Sequence, residues 1–284
     1  MNKILKQFST ICIDEMDKVK LLNRFDTKYW VPLEKLAAVL TEINNQYYVL
    51  QIDGDRIQRY KTAYFDTSNN CFYNSHHNGK AGRIKIRKRS YVNSNIAFLE
   101  IKFKNNKGKT SKSRMPIRQF ETAFTNDETK FIRKNAAYKT SELELKTINT
   151  FQRITLVSKK FDERCTIDID LAFSNGNETV QMNELAIIEL KQGTSNLKSA
   201  LSLALKKNHI YKRGFSKYCL GRALTETSIK KNLFKAQLLT MQKYNLKMPA
   251  FDLQSHEIQI QKNTIKNYHG RYIKQYPSLY NFSN

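Results

Sequence analysis

The sequence predicts an α+β protein in which an antiparallel β-barrel carries helices packed on its outside. Seven or eight segments of strand length follow one another mostly in meander order, which is typical of such barrels. Several of them alternate charged and apolar side chains with a period of two, so each strand has one polar and one apolar face. Segments with helical periodicity lie between the strands, and their apolar stripes suit the apolar outer surface of the barrel.

The first elements are predicted from local signals. Residues 11–22 have the pattern of a short amphipathic helix, and residues 24–31 (RFDTKYWV) that of a strand. Pro32 is expected to open the helix PLEKLAAVLTEI, because proline is tolerated in a first helical turn. Residues 56–66 are rich in aromatic and β-branched side chains and predict a second strand. Residues 69–78 are expected to form a short irregular or helical connection.

The middle of the chain predicts a three-stranded meander. Its strands are expected over 82–91, 96–104 and 111–120, because VNSN and NNKGK between them have the composition of hairpin turns. Residues 127–145 predict a helix.

The last elements are three strands and two helices. Strands are expected over 151–160, 164–173 and 180–191, separated by the turn-forming segments KKFDE and SNGNE. Residues 195–208 predict a helix with a leucine face, and residues 228–248 predict a lysine-rich helix.

The stretch 83–114 carries eleven Lys or Arg residues and a single acid, Glu100. In its first strand the basic side chains fall on alternate positions, Arg83, Lys85, Arg87 and Arg89. Cations packed this closely repel one another and become tolerable when a polyanion occupies the surface they line. The pattern therefore predicts an anion-binding lumen, with a solvated sheet face as the alternative for the first strand taken alone.

Composition narrows the class of partner and compartment. A net charge of +24 points to nucleic acid, nucleotides, polyphosphate or an acidic membrane surface. The four cysteines are far apart without a CxxC pair, which predicts a reducing compartment and no zinc site. The first twenty residues lack the pattern of a signal peptide, and no apolar run reaches membrane-span length. We expect a cytoplasmic protein, with the inner membrane face as the alternative location.

A lumen of this composition suits a triphosphate and its metal. Arginine offers a planar fork to phosphate oxygens, lysine offers a point charge, and a carboxylate on the same wall can hold Mg²⁺ or Mn²⁺. Asp168 and Asp170 are expected to pair with lumen arginines rather than to bind metal.

A set of motifs in a fixed order resembles a known family. RFDTKYWV, YFDTSNNCFYNSHHNGKAGRIKIRKRSY, AFLEIKFKNNKGKTSKSRMPI, IIELKQ and GFSKYCLG are similar to the VTC domain, over residues 23–221. That domain is the polyphosphate polymerase domain of the triphosphate tunnel metalloenzyme (CYTH-like) superfamily. The resemblance implies a tunnel of antiparallel strands in which the terminal phosphate of ATP is added to inorganic polyphosphate with a divalent metal, Mn²⁺ or Mg²⁺.

The resemblance also implies roles for the residues that match its motifs. Glu189 matches the metal-binding glutamate. Phosphate binding is implied for Lys28, Lys85, Arg87, Arg89, Lys102, Lys112, Arg153, Arg164, Ser216 and Lys217. Among these, a catalytic role is implied for Arg87, Arg89, Lys102 and Lys217.

One departure from the superfamily bears on the reaction. Its triphosphatases and class IV adenylate cyclases open with a glutamate-any-glutamate-any-lysine strand, and RFDTKYW lacks those acids. Fewer carboxylates favour holding and extending a long polyanion over hydrolysing a small triphosphate. A non-catalytic polyphosphate- or nucleotide-binding module and a tunnel-fold triphosphatase remain the alternatives. Specific nucleic-acid binding is not expected, because no aromatic residue interrupts the row from Arg83 to Arg89.

These observations divide the chain into a VTC-like tunnel domain (1–225) and a basic helix with a C-terminal tail (226–284). The expected ligands are ATP and inorganic polyphosphate. Relatives in this family often work beside membrane proteins, so a membrane-protein partner stays open.

Overall fold

The computed structural model describes residues 1–19, 25–193 and 198–244. Within them the strands are β1 (Ser9–Ile11), β2 (Phe25–Pro32), β3 (Tyr47–Leu50), β4 (Gln58–Thr67), β5 (Arg83–Tyr91), β6 (Ile96–Lys104), β7 (Thr110–Ile117), β8 (Leu143–Ser158), β9 (Glu163–Ser174), β10 (Thr179–Met182) and β11 (Leu185–Gln192). The α-helices are α1 (Asn2–Leu5), α2 (Leu33–Ile43), α3 (Cys71–His77), α4 (Asn126–Ala136), α5 (Ala200–Lys207), α6 (Lys217–Thr225) and α7 (Lys235–Gln242). Short 3₁₀ helices cover Asp14–Lys18, Thr140–Glu142 and Asn232–Phe234.

The strands form one mixed sheet in which antiparallel pairs dominate. Its main path runs β2-β11-β9-β8-β4-β5-β6-β7, and β1 pairs in parallel with β3 at its side. This confirms the α+β class. The expected full closure is not seen in the described residues, because β2 and β7 end the path without pairing with each other.

The sheet is nevertheless curled. Lys28 on β2 and Lys85 on β5 are five strands apart in the path, which is about 24 Å on a flat sheet. Their ammonium groups nevertheless donate to adjacent residues, Lys28 to the Phe215 carbonyl and Lys85 to Ser216 Oγ. The faces that carry these two lysines therefore turn toward each other, and we call this side the inner face.

Two helices cover the opposite, outer face as predicted. Leu36 and Leu40 of α2 and Leu201 of α5 share one buried cluster with Ile167 of β9 and Ile188 of β11. Each fully buried aliphatic side chain of this kind contributes about 1.5–3 kcal/mol to stability. Burial of this cluster fixes which face of β9 and β11 turns outward, and the intervening polar residues must then turn inward.

Helix α6 departs from the expected outside position, since it lies against inner-face side chains. The ring of Tyr218 packs 5.3 Å from Tyr64, whose own ring contacts the inner-face residue Arg87. Gly221 faces Phe173 so closely that a Cβ atom there would overlap the ring. The glycine therefore allows the helix to approach the sheet.

Two predicted helices are wrong in extent or type. Within 11–22, Ile11 ends the strand β1, and a 3₁₀ helix replaces the expected α-helix, while residues 20–22 lie outside the described part. Packing of Ile11 with Leu50 and Val157 outweighs the local helical pattern. The helix predicted over 127–145 ends at Ala136, because Ala137 adopts a left-handed backbone with φ 57°.

The strand and helix boundaries differ at three further places. Strand β8 begins at Leu143, pairs with β4 as far as Arg153 and with β3 beyond it, and is longer than predicted. The segment 180–191 folds as two strands, β10 and β11. The lysine-rich helix expected over 228–248 is a 3₁₀ turn followed by α7. Its residues 245–248 lie outside the described part. The same holds for residue 24 of the strand predicted over 24–31 and for residues 195–197 of the helix predicted over 195–208.

Residues 226–244 pack onto the elements before them. Phe234 lies 6.2 Å from the ring of Tyr73 and 5.4 Å from His77, edge to face in both cases. The division at residue 225 remains a prediction, and residues 250–284 lie outside the described part. None of the helices in the described ranges is both long and apolar enough to cross a membrane.

Candidate functional site

Like charges face each other across the inner-face strands. Lys85 of β5 lies directly opposite Lys102 of β6, which in turn lies opposite Lys112 of β7. One step further along, Arg83 opposes Lys104. Like charges in directly opposed positions destabilise a sheet, so this row is retained against its own repulsion. The predicted basic row is therefore a wall of cations in register.

Lys88 of β5 lies between Arg87 and Arg89 in the sequence and shows how the two faces of the sheet differ. Lys88 is 1% exposed, and its ammonium donates to the Glu128 carboxylate at 2.9 Å and to the Ala123 carbonyl at 2.6 Å. Both partners come from α4 and the segment before it. Lys88 is thus a neutralised structural lysine on the outer face, whereas Lys85 belongs to the inner-face wall.

Glu100 is the acid that holds part of this wall together. Its buried carboxylate accepts from Arg87 Nε at 2.7 Å and Arg87 Nη2 at 2.5 Å, and it pairs with the Lys112 ammonium through its other oxygen. Burial alone raises the pKa of Glu100, but Arg87, Arg89 and Lys112 outweigh it and hold the pKa at about 2. Glu100 is therefore ionised and fully engaged by protein cations.

Lys102 stands in contrast, because its ammonium has no hydrogen bond or ion pair with the described residues. Arg87, burial and Arg89 together lower its pKa to about 6. Glu100 and Glu189 act in the opposite direction without compensating. The wall therefore contains a lysine whose charge is not balanced by the described residues.

Aromatic rings rather than acids hold Arg89. Its guanidinium lies 5.7 Å from the ring centre of Tyr60 and 5.9 Å from that of Phe151, and Nε donates to Thr62 Oγ1 at 3.3 Å. Tyr60 and Phe151 are stacked face to face, 5.0 Å apart. Arg153 lies 5.1 Å from both rings. Cation–π contact orients a guanidinium while leaving most of its N–H donors for a ligand.

Asp168 joins the sheet to the start of α6. Arg153 Nε and Nη2 donate to its two carboxylate oxygens at 2.6 and 2.9 Å, and the Lys217 ammonium pairs with the same carboxylate. Arg153 and Lys217 hold the pKa of Asp168 below its usual range despite the opposing effect of burial. The expected ion-pair role of Asp168 is confirmed by this geometry. Asp170 is exposed, with a left-handed backbone, and forms no ion pair with described residues.

Glu189 is the carboxylate nearest to Lys28. The Lys28 and Lys191 ammoniums each lie 3.9 Å from Glu189 Oε1. Burial raises the pKa of Glu189, but Lys28, Lys191 and Arg153 lower it to about 2, so the group is ionised at neutral pH. The described residues contain no cluster of three His, Cys, Asp or Glu side chains suited to a metal. Glu189 is therefore a single ionised oxygen donor, and a hard cation bound to it would need ligands beyond the described side chains.

A cavity of about 510 Å³ opens beside these groups. Lys28, Lys85 and Ser216 line it together with Arg213 and Gln237. The Lys85 ammonium donates to Ser216 Oγ at 3.2 Å, and Lys28 Nζ donates to the Phe215 carbonyl at 2.8 Å. Ser216 caps α6, so the unpaired N–H groups of the first turn lie at this cavity and favour an anion.

The site residues expected from the sequence thus fall into connected groups. The cavity gathers Lys28, Lys85 and Ser216, and Glu189 lies 3.9 Å from Lys28. The β5–β7 wall and the Asp168 cluster account for the others except Arg164. Arg164 lies opposite Lys191, about 13 Å along β9 from Asp168.

Sequence reasoning missed the aromatic and C-terminal parts of this site. Tyr60 and Phe151 are ordinary strand aromatics in sequence, and only strand pairing stacks them under Arg89. Lys191 could be placed from the sequence, because strand alternation puts it on the same face as Glu189. Arg213 and Gln237 give no local signal, because a loop and a helix distant in sequence bring them to the cavity.

Comparison with known proteins gives a family match and distant structural likenesses. The family model described as VTC domain matches residues 23–226. No curated protein is significantly similar to the chain.

The solved structures with a similar fold are distant. A putative adenylate cyclase from Vibrio parahaemolyticus is 12% identical, with a TM-score of 0.41, covering 71% of this chain and 99% of that one. A putative adenylyl cyclase from Hippeastrum, described as having a dominant triphosphatase activity, is 14% identical, with a TM-score of 0.47 and coverages of 72% and 97%. A putative adenylate cyclase from Bacillus halodurans is 11% identical, with a TM-score of 0.43 and coverages of 75% and 97%.

Proposed function

The chain belongs to the VTC domain family, and on that premise we propose that it is a polyphosphate polymerase. It would transfer the terminal phosphate of ATP to a growing inorganic polyphosphate chain along the inner face, with a divalent metal. The observation that carries this proposal is the in-register row Lys85, Lys102 and Lys112, in which the central ammonium has no protein partner among the described residues. A chain of phosphates supplies negative charge at every step along such a wall.

The proposed reaction needs positioning and charge stabilisation more than a protein nucleophile. A terminal oxygen of the polyphosphate chain attacks the γ-phosphorus of ATP and forms a new P–O–P bond. The bond between the γ-phosphorus and the β,γ-bridging oxygen breaks, and ADP leaves with that electron pair. The attacking phosphate is already anionic near neutral pH, so no general base is required.

The chain's own residues would divide this work between them. Arg87 and Arg89 present guanidinium donors to the phosphoryl oxygens, and Lys102 offsets charge that builds up in the transition state. Lys217, held by Asp168 at the start of α6, is proposed to restrain the triphosphate from the other side. Fixed donors of this kind lower the barrier because they need no reorganisation during the reaction.

Glu189 would hold the metal, either Mn²⁺ or Mg²⁺. When bound, such an ion would supply positive charge that offsets the charge of the phosphate oxygens. Lys28 and Lys191, at 3.9 Å from Glu189, keep the carboxylate ionised. The described residues place no three His, Cys, Asp or Glu side chains together as metal ligands. This scarcity of carboxylates is the feature that favours chain extension over triphosphate hydrolysis.

The decisive experiment incubates the protein with ATP and Mn²⁺ or Mg²⁺ and separates the products on a gel that resolves polyphosphate. Long chains together with ADP are the expected products. Free phosphate without chains would replace the proposal with a triphosphatase, and the absence of turnover would favour a binding module.

A carboxylate variant tests the metal assignment. Glu189→Ala is expected to abolish turnover while leaving metal-free polyphosphate binding largely intact. Glu184→Gln is the matched control, because Glu184 is exposed at the turn before β11. Unchanged activity in Glu189→Ala would remove this carboxylate from the reaction. The cytoplasmic location and a membrane-protein partner remain predictions.

A further inference from the structure

The segment between α5 and α6 pairs with the edge strand β2 beside the cavity. Lys212 forms a β-bridge with Tyr29 of β2, and the Arg213 amide donates to the Lys28 carbonyl at 2.7 Å. The Lys28 ammonium in turn donates to the Phe215 carbonyl at 2.8 Å. Both the backbone and the side chain of Lys28 are therefore fixed by this segment.

The Arg213 side chain is held at the cavity by two contacts. Its guanidinium lies 5.1 Å from the ring centre of Trp30, and Nη1 donates to Thr240 Oγ1 at 2.6 Å. Arg213 lines the same cavity as Lys28, Lys85 and Ser216. The described residues give it no carboxylate partner, and the Thr240 bond uses one of the five N–H donors of the guanidinium. Most of its donors thus remain for an anion.

The second of these contacts comes from outside the family domain. Thr240 and Gln237 belong to α7, whereas the family match ends at residue 226. Gln237 Nε2 donates to the Gly214 carbonyl at 3.0 Å, one residue after Arg213. Helix α7 therefore binds this segment at two points, the Arg213 side chain and the Gly214 backbone carbonyl.

We infer that Arg213 is an additional phosphate-binding residue at the mouth of the cavity, and that Thr240 is the positioning residue that aims its guanidinium. The inference rests on the proposed function for the chemistry of the ligand, a chain of phosphates. A planar fork fixed between an indole ring and a hydroxyl is suited to two oxygens of one phosphate. Residues 232–242 would accordingly belong to the binding site.

The test measures binding of inorganic tripolyphosphate to the full chain by calorimetry, without metal or turnover. Arg213→Met is expected to weaken binding about tenfold, the loss typical of one charge-assisted contact. The matched control is Arg133→Met, because Arg133 is an exposed arginine on α4. Equal affinity of Arg213→Met and the wild type would overturn the assignment of Arg213.

Thr240 variants test the positioning role separately. Thr240→Val keeps the shape but removes the acceptor, and is expected to weaken binding about threefold, while Thr240→Ser restores it. In the Arg213→Met background, Thr240→Val should cause no further loss, since it acts through Arg213. Additive losses would show a general structural effect and overturn the positioning role.

The outcome is independent of the polymerase assay. If the protein binds tripolyphosphate through Arg213 but makes no polyphosphate, the binding role stands and the proposed reaction fails. If polyphosphate is made and Arg213→Met binds normally, the reaction stands and this inference fails. Trp30 is the single tryptophan of the chain and lies against Arg213, so its emission provides a second readout of binding.

Discussion

Replacing Lys102 is expected to change how anion binding depends on pH. The ammonium faces Arg87 and Arg89 on β5, stands between Lys85 and Lys112 in the cross-strand row, and has no partner among the described residues. Repulsion from Arg87 is the largest effect and contributes most to lowering its pKa to about 6. A phosphate chain on the wall supplies the missing counter-charge, which should return the pKa toward its ordinary value near 10.4.

The size of the effect follows from those two pKa values. At pH 7.5 a group with a pKa of about 6 is roughly 3% protonated, so binding should draw in about one proton. The folded chain without ligand binds fewer protons at Lys102 than the unfolded chain between pH 6 and 10.4. Its free energy of unfolding therefore rises with pH in this window, by up to about 1.4 kcal/mol per pH unit from this group, and that stability is lost as pH falls toward 6.

Calorimetry of tripolyphosphate binding in buffers of different ionisation enthalpy measures the proton uptake. Wild-type protein should take up about one proton more at pH 7.5 than Lys102→Arg, because arginine stays charged throughout. Protonation of the ligand itself is common to both proteins and cancels in the comparison. Equal uptake by the two proteins would refute the reasoning, as would a wild-type unfolding free energy with the same pH dependence as that of Lys102→Met.

Four further variants test the two faces of the sheet and α6. Lys88→Met should lower the unfolding free energy by about 3–5 kcal/mol, because it leaves the buried Glu128 carboxylate without its ion-pair partner. The affinity for tripolyphosphate should be unchanged. Lys85→Met should weaken tripolyphosphate binding severalfold without loss of stability. If Lys85→Met lowered stability and Lys88→Met weakened binding instead, the assignment of Lys85 to the inner face and Lys88 to the outer face would be wrong. Gly221→Ala should cost about 1–3 kcal/mol in chemical denaturation, because its Cβ would overlap Phe173; full stability would mean that α6 shifts freely. Arg222→Met should cost about 3–5 kcal/mol, because Arg222 is 1% exposed and ion-paired; a melting temperature equal to that of the wild type would exclude this.

Much of the basic wall was predictable because it depends on strand alternation. Once β5 and β6 exist, period-two geometry places Arg87 and Lys102 on one face and Lys88 on the other. Glu100 was recognisable as part of the same strand pattern. Its partners Arg87 and Lys112 were not, since they follow from the register of two hairpins.

The structure departs from the predicted elements where tertiary packing competes with local preference. The residues after Ala137 look helical in isolation, yet pairing of β8 with β4 gives them a strand. Ile11 likewise joins β1 because Leu50 and Val157 offer an apolar site. Local propensities amount to fractions of a kcal/mol per residue, which such burial readily exceeds.

A cationic face in strands and the motifs of the VTC domain family are both present in the sequence. Both properties follow from the order and spacing of side chains, which strand geometry converts directly into faces. Which of the cations are paired with a carboxylate depends on how the chain folds. Lys88 and Lys102 illustrate the difference, because α4 supplies Lys88 with a carboxylate while strand register surrounds Lys102 with further cations. Counter-charges come from residues distant in sequence, so the open positions on the wall appear only when the chain is folded.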